Sequence, residues 1–291
     1  MAPRSVMHRW RFCSGYVSGV FSSRKLEEDV AFRVLAAGNF PSHRTICAFR
    51  KRHLKDFKTL FVQVVQIAGE AGLVSLGTLA VDGTKVRANA SKHKAMSYKR
   101  DFGVPDDKAQ SNFTDPESRI MKTNEGYQQC FNAQLAVDED FQMIVATTLT
   151  SNASDQGVML GVLDQVEDSL QARPDCVLAD AGYRKEDDFV ELERRGIDAY
   201  VSLGREGKAD GEIDAEAYPA TREMVAKLAT PEGRERYRDR KHIVEAVNGW
   251  IKHVMGFRRF SLRGLAGASG EWDLVCLAAN LRRMGPLIAF G

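Results

Sequence analysis

Between His43 and Val64 apolar residues return at mostly three- and four-residue spacings, at Ile46, Phe49, Leu54, Phe57, Leu60, Phe61 and Val64. That period predicts amphipathic helix, with Ser42 placed to cap its start. Gly72 and Gly77 then punctuate a change of pattern. Leu79-Ala80-Val81 is a short apolar run closed by Asp82-Gly83-Thr84, which predicts a strand delivering Asp82 to its end. Residues 85–100 are polar and basic, and residues 101–118, with Pro105, Pro116 and scattered acids, read as a loop. Two strands follow, Tyr127 to Val137 and Met143 to Leu149, joined by the turn Asp138-Glu139-Asp140.

Met159, Val162, Leu163, Val166 and Leu170 fall on one side of a predicted helix. A compact strand, Cys176 to Ala179, runs into Asp180-Ala181-Gly182-Tyr183. An acidic helix (Lys185 to Arg195) and a short strand (Ala199 to Leu203) come next. Residues 204–230 read as loop or short helix, Arg234 to about Val254 as a basic helix, and Leu274 to Leu287 as a last apolar helix. Strands alternating with helices in this way indicate a mixed α/β domain, a central sheet covered by helices, preceded by a small helical region.

Composition narrows the class. Of 291 residues, 44% are hydrophobic and 27% charged, which is globular rather than disordered. No apolar run is long enough for a membrane-spanning helix, and the basic N-terminus lacks the apolar core of a secretory signal. Five scattered cysteines without a CxxC pair argue against a disulfide framework or a thiolate zinc site and fit a reducing compartment. The net charge of +2 conceals a division along the chain. Residues 1–100 carry 18 basic and 6 acidic side chains, residues 101–230 carry 12 and 27, and residues 231–291 carry 11 and 6. Arg44, Arg50, Lys51, Arg52, Lys55 and Lys58 give the first helical region a basic face. Such a face is more often merely solvated, but its density makes DNA contact a serious competitor.

Three carboxylates stand at informative places. Asp82 and Asp180 each terminate an apolar run and precede a turn. Either alone reads as a turn residue. Together, on neighbouring strand ends of an α/β sheet, they would set four oxygens in a volume that favours a hard divalent cation. Glu245 lies mid-helix with Lys241 four residues before it and Lys252 seven after, a spacing that puts all three along one helical face. A surface ion pair explains that spacing equally well. Turned toward the aspartates, the same face would complete a three-carboxylate site with lysines for a phosphate, the arrangement of two-metal phosphoryl transfer.

At these residues the sequence resembles the DDE transposases of bacterial insertion sequences. The similar stretches are VDGTKVRANASKHKAMSY (81–98), DPESRIMK (115–122), GYQQCFNAQLAVD (126–138), ADAGYR (179–184), YRDRKHIVEAVNGWIK (237–252) and GFRRFSLRG (256–264). The resemblance implies an RNase H-like catalytic core over residues 76–291, with Asp82, Asp180 and Glu245 as catalytic metal ligands for two Mg²⁺ ions, Mn²⁺ being a substitute. It implies cleavage at the element's terminal inverted repeats, strand transfer into target DNA, a homo-oligomer on DNA, and a nucleoid-associated place in the bacterial cytoplasm. Residues 1–75, with Arg50 and Arg52, are then expected to help bind the DNA ends.

Two departures from the family pattern stand out. The family signature runs tyrosine, two residues, arginine, three residues, glutamate, six residues, lysine. Here the interval from Glu245 to Lys252 holds, but Lys241 occupies the expected arginine position, with Arg240 one residue earlier and Tyr237 one position further out. Relatives also carry a long charged insertion where this chain has only Lys99 to Ser111, so a shortened copy is expected. A shortened, non-catalytic protein competing with an intact transposase for its DNA ends is therefore the alternative reading. A cellular RNase H-like nuclease is a third, disfavoured by the basic C-terminal signature.

The remaining chemistry is bland. His8, His43, His53, His93, His242 and His253 are scattered in basic context and make no zinc set. Asn152 and Asp155 read most simply as a turn or helix cap. Gly182 and Tyr183 are placed to shape the loop at Asp180, and Arg258, Arg259 and Arg263 to meet a DNA backbone. No Gly-rich phosphate loop suggests ATP use.

Overall fold

The computed structural model describes residues 13–36, 40–91, 95–97, 110–204 and 216–290. His8, His93, the segment 99–109 and residues 205–215 of the expected loop lie outside the described residues. The N-terminal part forms α1 (Ser23–Glu28), α2 (Val30–Leu35), α3 (His43–Arg52) and α4 (Leu54–Glu70). Ser42 caps α3 by accepting from Thr45 N. The long helix predicted from periodicity is thus two, divided at His53, which breaks the helical backbone between them. The apolar stripe of α4, including Phe57, Leu60, Phe61 and Val64, is buried in the same hydrophobic core as the sheet.

The sheet is built on β1 (Thr78–Arg87). Beyond a small pair, β2 (Ala95–Ser97) and β3 (Gln110–Asn112), come β4 (Arg119–Thr123), β5 (Gly126–Asp138) and β6 (Ile144–Thr150). β5 runs antiparallel to β1 along nine paired positions, and it is long enough to pair with β4 in its first half and β6 in its second. Helix α5 (Met159–Leu170) leads to β7 (Cys176–Ala179), and α6 (Glu186–Arg194) crosses over to β8 (Asp198–Val201). β7 pairs parallel to β1 on the side opposite β5, and β8 parallel to β7. Three antiparallel strands (β6, β5, β1) continued by parallel β7 and β8, with helices covering them, form the RNase H-like α/β fold.

The C-terminal part comprises α7 (Pro219–Ala229), α8 (Pro231–Arg240), α9 (Ala246–Gly249) and α10 (Leu265–Phe290). Two π-helical turns, Lys241–Glu245 and Trp250–Val254, flank α9, so α8 runs without a break to Val254. α10 starts nine residues before its predicted start at Leu274. Its first turns are rich in Gly, Ala and Ser, which carry little apolar signal but permit close approach: a Cβ at Gly270 would lie 2.7 Å from the Leu54 side chain.

Glu271, fully buried on α10, ties the N-terminal helices to the basic segment 258–263. Its Oε1 accepts from Tyr16 OH at 3.0 Å and lies 3.5 Å from Arg50 Nη1, while its Oε2 accepts from Ser261 N and Leu262 N at 2.7 and 3.0 Å. This corrects the expectation for Arg50. Its side chain is 2% exposed and also donates to Phe21 O, because a buried carboxylate needs a cation and donors around it. Arg50 therefore serves the core, while Arg52 is exposed on α3.

Candidate active site

Asp82 lies within β1, not at its end: pairing with β5 carries the strand on to Arg87. What ends near Asp82 is the parallel pairing with β7, whose last pair is Val81 with Ala179. The next residues along the two strands are Asp82 and Asp180, so the register itself sets these carboxylates side by side where β7 stops. Asp180 then caps a single 3₁₀ turn, Ala181–Tyr183, accepting from Gly182 N at 2.8 Å.

The helix from Pro231 to Val254 crosses this place. Arg240, almost wholly buried, points its Nη1 to within 3.8 Å of Asp82 Oδ1 and its Nη2 to within 3.6 Å of Glu245 Oε1. Tyr237 packs on the guanidinium, 5.8 Å from its ring centre. Asn248 Nδ2 donates to Asp82 Oδ2 at 3.0 Å, and Lys252 Nζ donates to Thr84 Oγ1. Of the expected common face, Glu245 and Lys252 line one cavity with Asp82, whereas Lys241 is not part of that lining. Lys241 is exposed, Glu245 is 56% exposed, and Lys252 is half-buried against β1. The π turn at Lys241–Glu245 shifts the register before Glu245, since each of its hydrogen bonds spans five residues rather than four. The same turn absorbs the extra residue between Arg240 and Glu245, so Arg240 rather than Lys241 faces the carboxylates.

Electrostatics follow from burial. Removal from water pushes the Asp82 carboxyl up to about 6; Arg240 opposes that rise and Asp180 adds to it. Burial lowers Lys252, with Asp82 working in the other direction. Arg240 also loses water, but Tyr237, Asp82 and Asp180 more than compensate and raise its affinity for the proton. A cavity of about 630 Å³ opens here, lined among others by Asp82, Thr84, Lys85, Lys122, Glu245 and Lys252. A neighbouring cavity of about 480 Å³ is lined by Arg87, Asn89, Gln128, Arg259 and Arg263.

Two features support a hard cation. Asp82 and Asp180 offer oxygens whose mutual repulsion a cation would relieve. Asn248 Oδ1, buried beside them, has no hydrogen-bond partner among the described residues. Glu245 stands apart. Among the described residues no three His, Cys, Asp or Glu side chains are grouped to hold one ion.

Several members of this site were not singled out from the sequence. Asp155 Oδ1 accepts from Asn132 Nδ2 and Gln134 Nε2, each at 2.6 Å, and from Lys85 Nζ at 3.2 Å. Gln134 Oε1 in turn accepts from Tyr183 OH. Asn132 and Gln134 did leave a signal, amides that share one face of β5 with Gln128. Asp155 reads from the sequence as a turn or helix cap, and Asn248 leaves no signal.

Comparison with known proteins accords with this geometry. The family model for the transposase DDE domain matches residues 75–281. No curated protein matches the chain.

Proposed function

The chain belongs to the DDE-domain transposases, and from that premise we propose that it cuts DNA at the ends of an insertion sequence and joins the freed 3′ ends to target DNA. Phosphoryl transfer on DNA is the chemistry of this family. The observation that best supports assigning the reaction to Asp82 and Asp180 is the β1–β7 register, which makes them neighbours at the point where the parallel pairing ends.

In this reading Asp82, Asp180 and Glu245 hold the cations. Divalent ions bound there would make water or a 3′-hydroxyl a better nucleophile and offset charge at the leaving oxygen. The chain's own side chains do the remainder. Lys252, steadied by Thr84, meets the phosphate from the β1 side of the cavity. Arg240 balances the charge of Asp82 and Glu245 while the site is empty of DNA. Arg258, Arg259 and Arg263 take the phosphates of the flanking strand, and Arg52 on α3 contributes to end binding. The protein works as a homo-oligomer, because two ends must be held together for joining.

A second reading, DNA binding without cleavage, draws on Glu245, which is more than half exposed and paired with Arg240 rather than grouped with the aspartates. One assay decides between them. Plasmid DNA carrying the sequences that flank the gene is incubated with protein and Mg²⁺ or Mn²⁺, and nicked and joined products are mapped. Metal-dependent cuts at the ends that disappear in Asp82→Ala, Asp180→Ala and Glu245→Ala support the transposase reading. Retention of cleavage in any variant overturns that residue's assignment. End binding without cuts at any metal concentration favours the second reading.

A further inference from the structure

Asp155 has a place in this structure that a turn residue does not need. It sits between the loop after β6 and the start of α5, yet its carboxylate reaches back to the sheet. Oδ1 is surrounded by three donors from two strands: Lys85 on β1, and Asn132 and Gln134 on β5. Two glycines make room for it. A Cβ at Gly83, the residue after Asp82, would overlap Asp155 Oδ1. A Cβ at Gly182, two residues after Asp180, would stand 3.0 Å from both Asp155 Oδ2 and Asp180 Oδ1. Asp155 is therefore packed against the backbone beside each aspartate of the candidate site.

Lys85 is what this arrangement holds. Strand alternation puts Lys85 and Gly83 on one face of β1 and Asp82 and Thr84 on the other. Lys252 approaches Thr84 from that second face. Past Val81, β1 has no β7 partner, so the two lysines flank the same strand from opposite faces, and both line the 630 Å³ cavity. A flexible lysine confined in this way carries a fixed charge where DNA phosphate would lie. Lys85 also has an anchor: its ion pair with Asp155 is mostly screened from water, the two side chains being 20% and 17% exposed.

We propose that Lys85 contacts the phosphate at the cleaved junction and that Asp155 is the positioning residue that aims it, locking Lys85 to the strands and turns that bear Asp82 and Asp180. This rests on the transposase reading above. Lys85 supplies the contact, and Asp155 acts through it.

The test is a metal-free binding measurement, so it does not depend on turnover. Duplexes copied from the DNA flanking the gene are prepared with an ordinary phosphate or a neutral methylphosphonate at the junction, and affinities are measured by fluorescence anisotropy. Wild-type protein is expected to bind the neutral duplex about tenfold more weakly, roughly the value of one charge-assisted contact. Lys85→Met and Asp155→Asn should each lower that penalty to about threefold, the share left to Lys252, and the double variant should behave as either single one does. Lys85→Arg should restore the penalty. A melting curve accompanies each protein, and Asp155→Ser replaces Asp155→Asn should the latter fail to fold. A full methylphosphonate penalty in Lys85→Met overturns the phosphate contact. A full penalty in the Asp155 variants overturns the positioning role. Cleavage of the ordinary duplex by wild-type protein, run in parallel with Mg²⁺, shows separately whether the transposase reading itself stands.

Discussion

Asn248 Nδ2 donates to Asp82 Oδ2 at 3.0 Å, joining the helix that bears Glu245 and Lys252 to the central strand of the sheet. An N–H aimed at a carboxylate favours its charged form. Burial already holds the Asp82 carboxyl up at about 6, so this donor matters at neutral pH. Replacing it by the apolar Asn248→Leu removes that donor, together with the unpartnered Oδ1 beside the aspartates, and drives the proton affinity of Asp82 higher. At a given pH less of the site is then ionised. Cleavage by Asn248→Leu is expected to fall roughly tenfold at pH 7, the scale of one hydrogen bond to a charged group. Most of that loss should be recovered by pH 9. A pH–rate profile beside the wild type checks this, and an equal deficit at both pH values would show that Asn248 acts otherwise.

The same carboxyl makes stability depend on pH. A folded-state value near 6 exceeds the ordinary 3.8, so between those values the folded chain holds more proton than the unfolded chain. Stability from this group is fully present below about pH 4 and is lost as pH rises through 6. The neutral Asp82→Asn escapes that loss. In EDTA it is expected to melt near the wild type at pH 4 and above it at pH 7.5, the difference corresponding to about 1–3 kcal/mol. Thermal melts at the two pH values measure it. A constant offset would mean that Asp82 keeps an ordinary acidity.

Much of this arrangement was legible in the chain because it depends on local pattern. Cys176 to Ala179 and Leu79 to Val81 announce buried strands by unbroken apolar runs, and the acids after them mark where chemistry collects. Other parts were hidden for physical reasons. β4 is short and mostly polar, with Met121 alone buried, and it exists as a strand through its pairing with β5. Asp82 lies mid-strand because β5 is long enough to continue the pairing, a fact stored 50 residues away. The π turn at Lys241–Glu245 brings Arg240 rather than Lys241 to the carboxylates, and no residue type signals such a turn. Asp155 acquires its place only when β1, β5 and the turn after β7 meet.

Gly83 offers a direct probe of that meeting point. Its missing Cβ is the space taken by Asp155 Oδ1 and Gln134 Nε2, and both atoms are held by further hydrogen bonds. Gly83→Ala must displace this network, at a cost of about 1–3 kcal/mol, and should lower cleavage with it. Gly161 on α5 is the control, because a Cβ there meets nothing within 4 Å. Gly161→Ala should stabilise by roughly 0.5–1 kcal/mol and leave cleavage unchanged. Chemical denaturation of both variants gives the comparison. Equal tolerance of the two would mean that the Asp155 network yields freely.

Arg50 and Arg52 are two residues apart on α3 and indistinguishable by charge pattern, yet they should fail in different ways. Arg50 is buried beside Glu271, whose two oxygens also hold Tyr16 and the backbone of Ser261 and Leu262. Arg50→Met preserves bulk but leaves Glu271 as a buried carboxylate without its cation. Breaking a buried pair from one side costs on the order of 3–5 kcal/mol, enough to lower the melting temperature by many degrees. Because Glu271 anchors the segment carrying Arg258, Arg259 and Arg263, DNA affinity should fall with the fold, and a temperature low enough to restore folding should restore much of the binding. Arg52 is exposed, so Arg52→Ala should leave the stability within about 0.5 kcal/mol of wild type. If Arg52 touches a phosphate, the variant weakens DNA binding evenly across sequences and reduces the slope of log affinity against log salt by about one. Melting curves and salt titrations of both proteins resolve the two cases. A stable Arg50→Met with a reduced salt slope would return Arg50 to the DNA surface and remove it from the core.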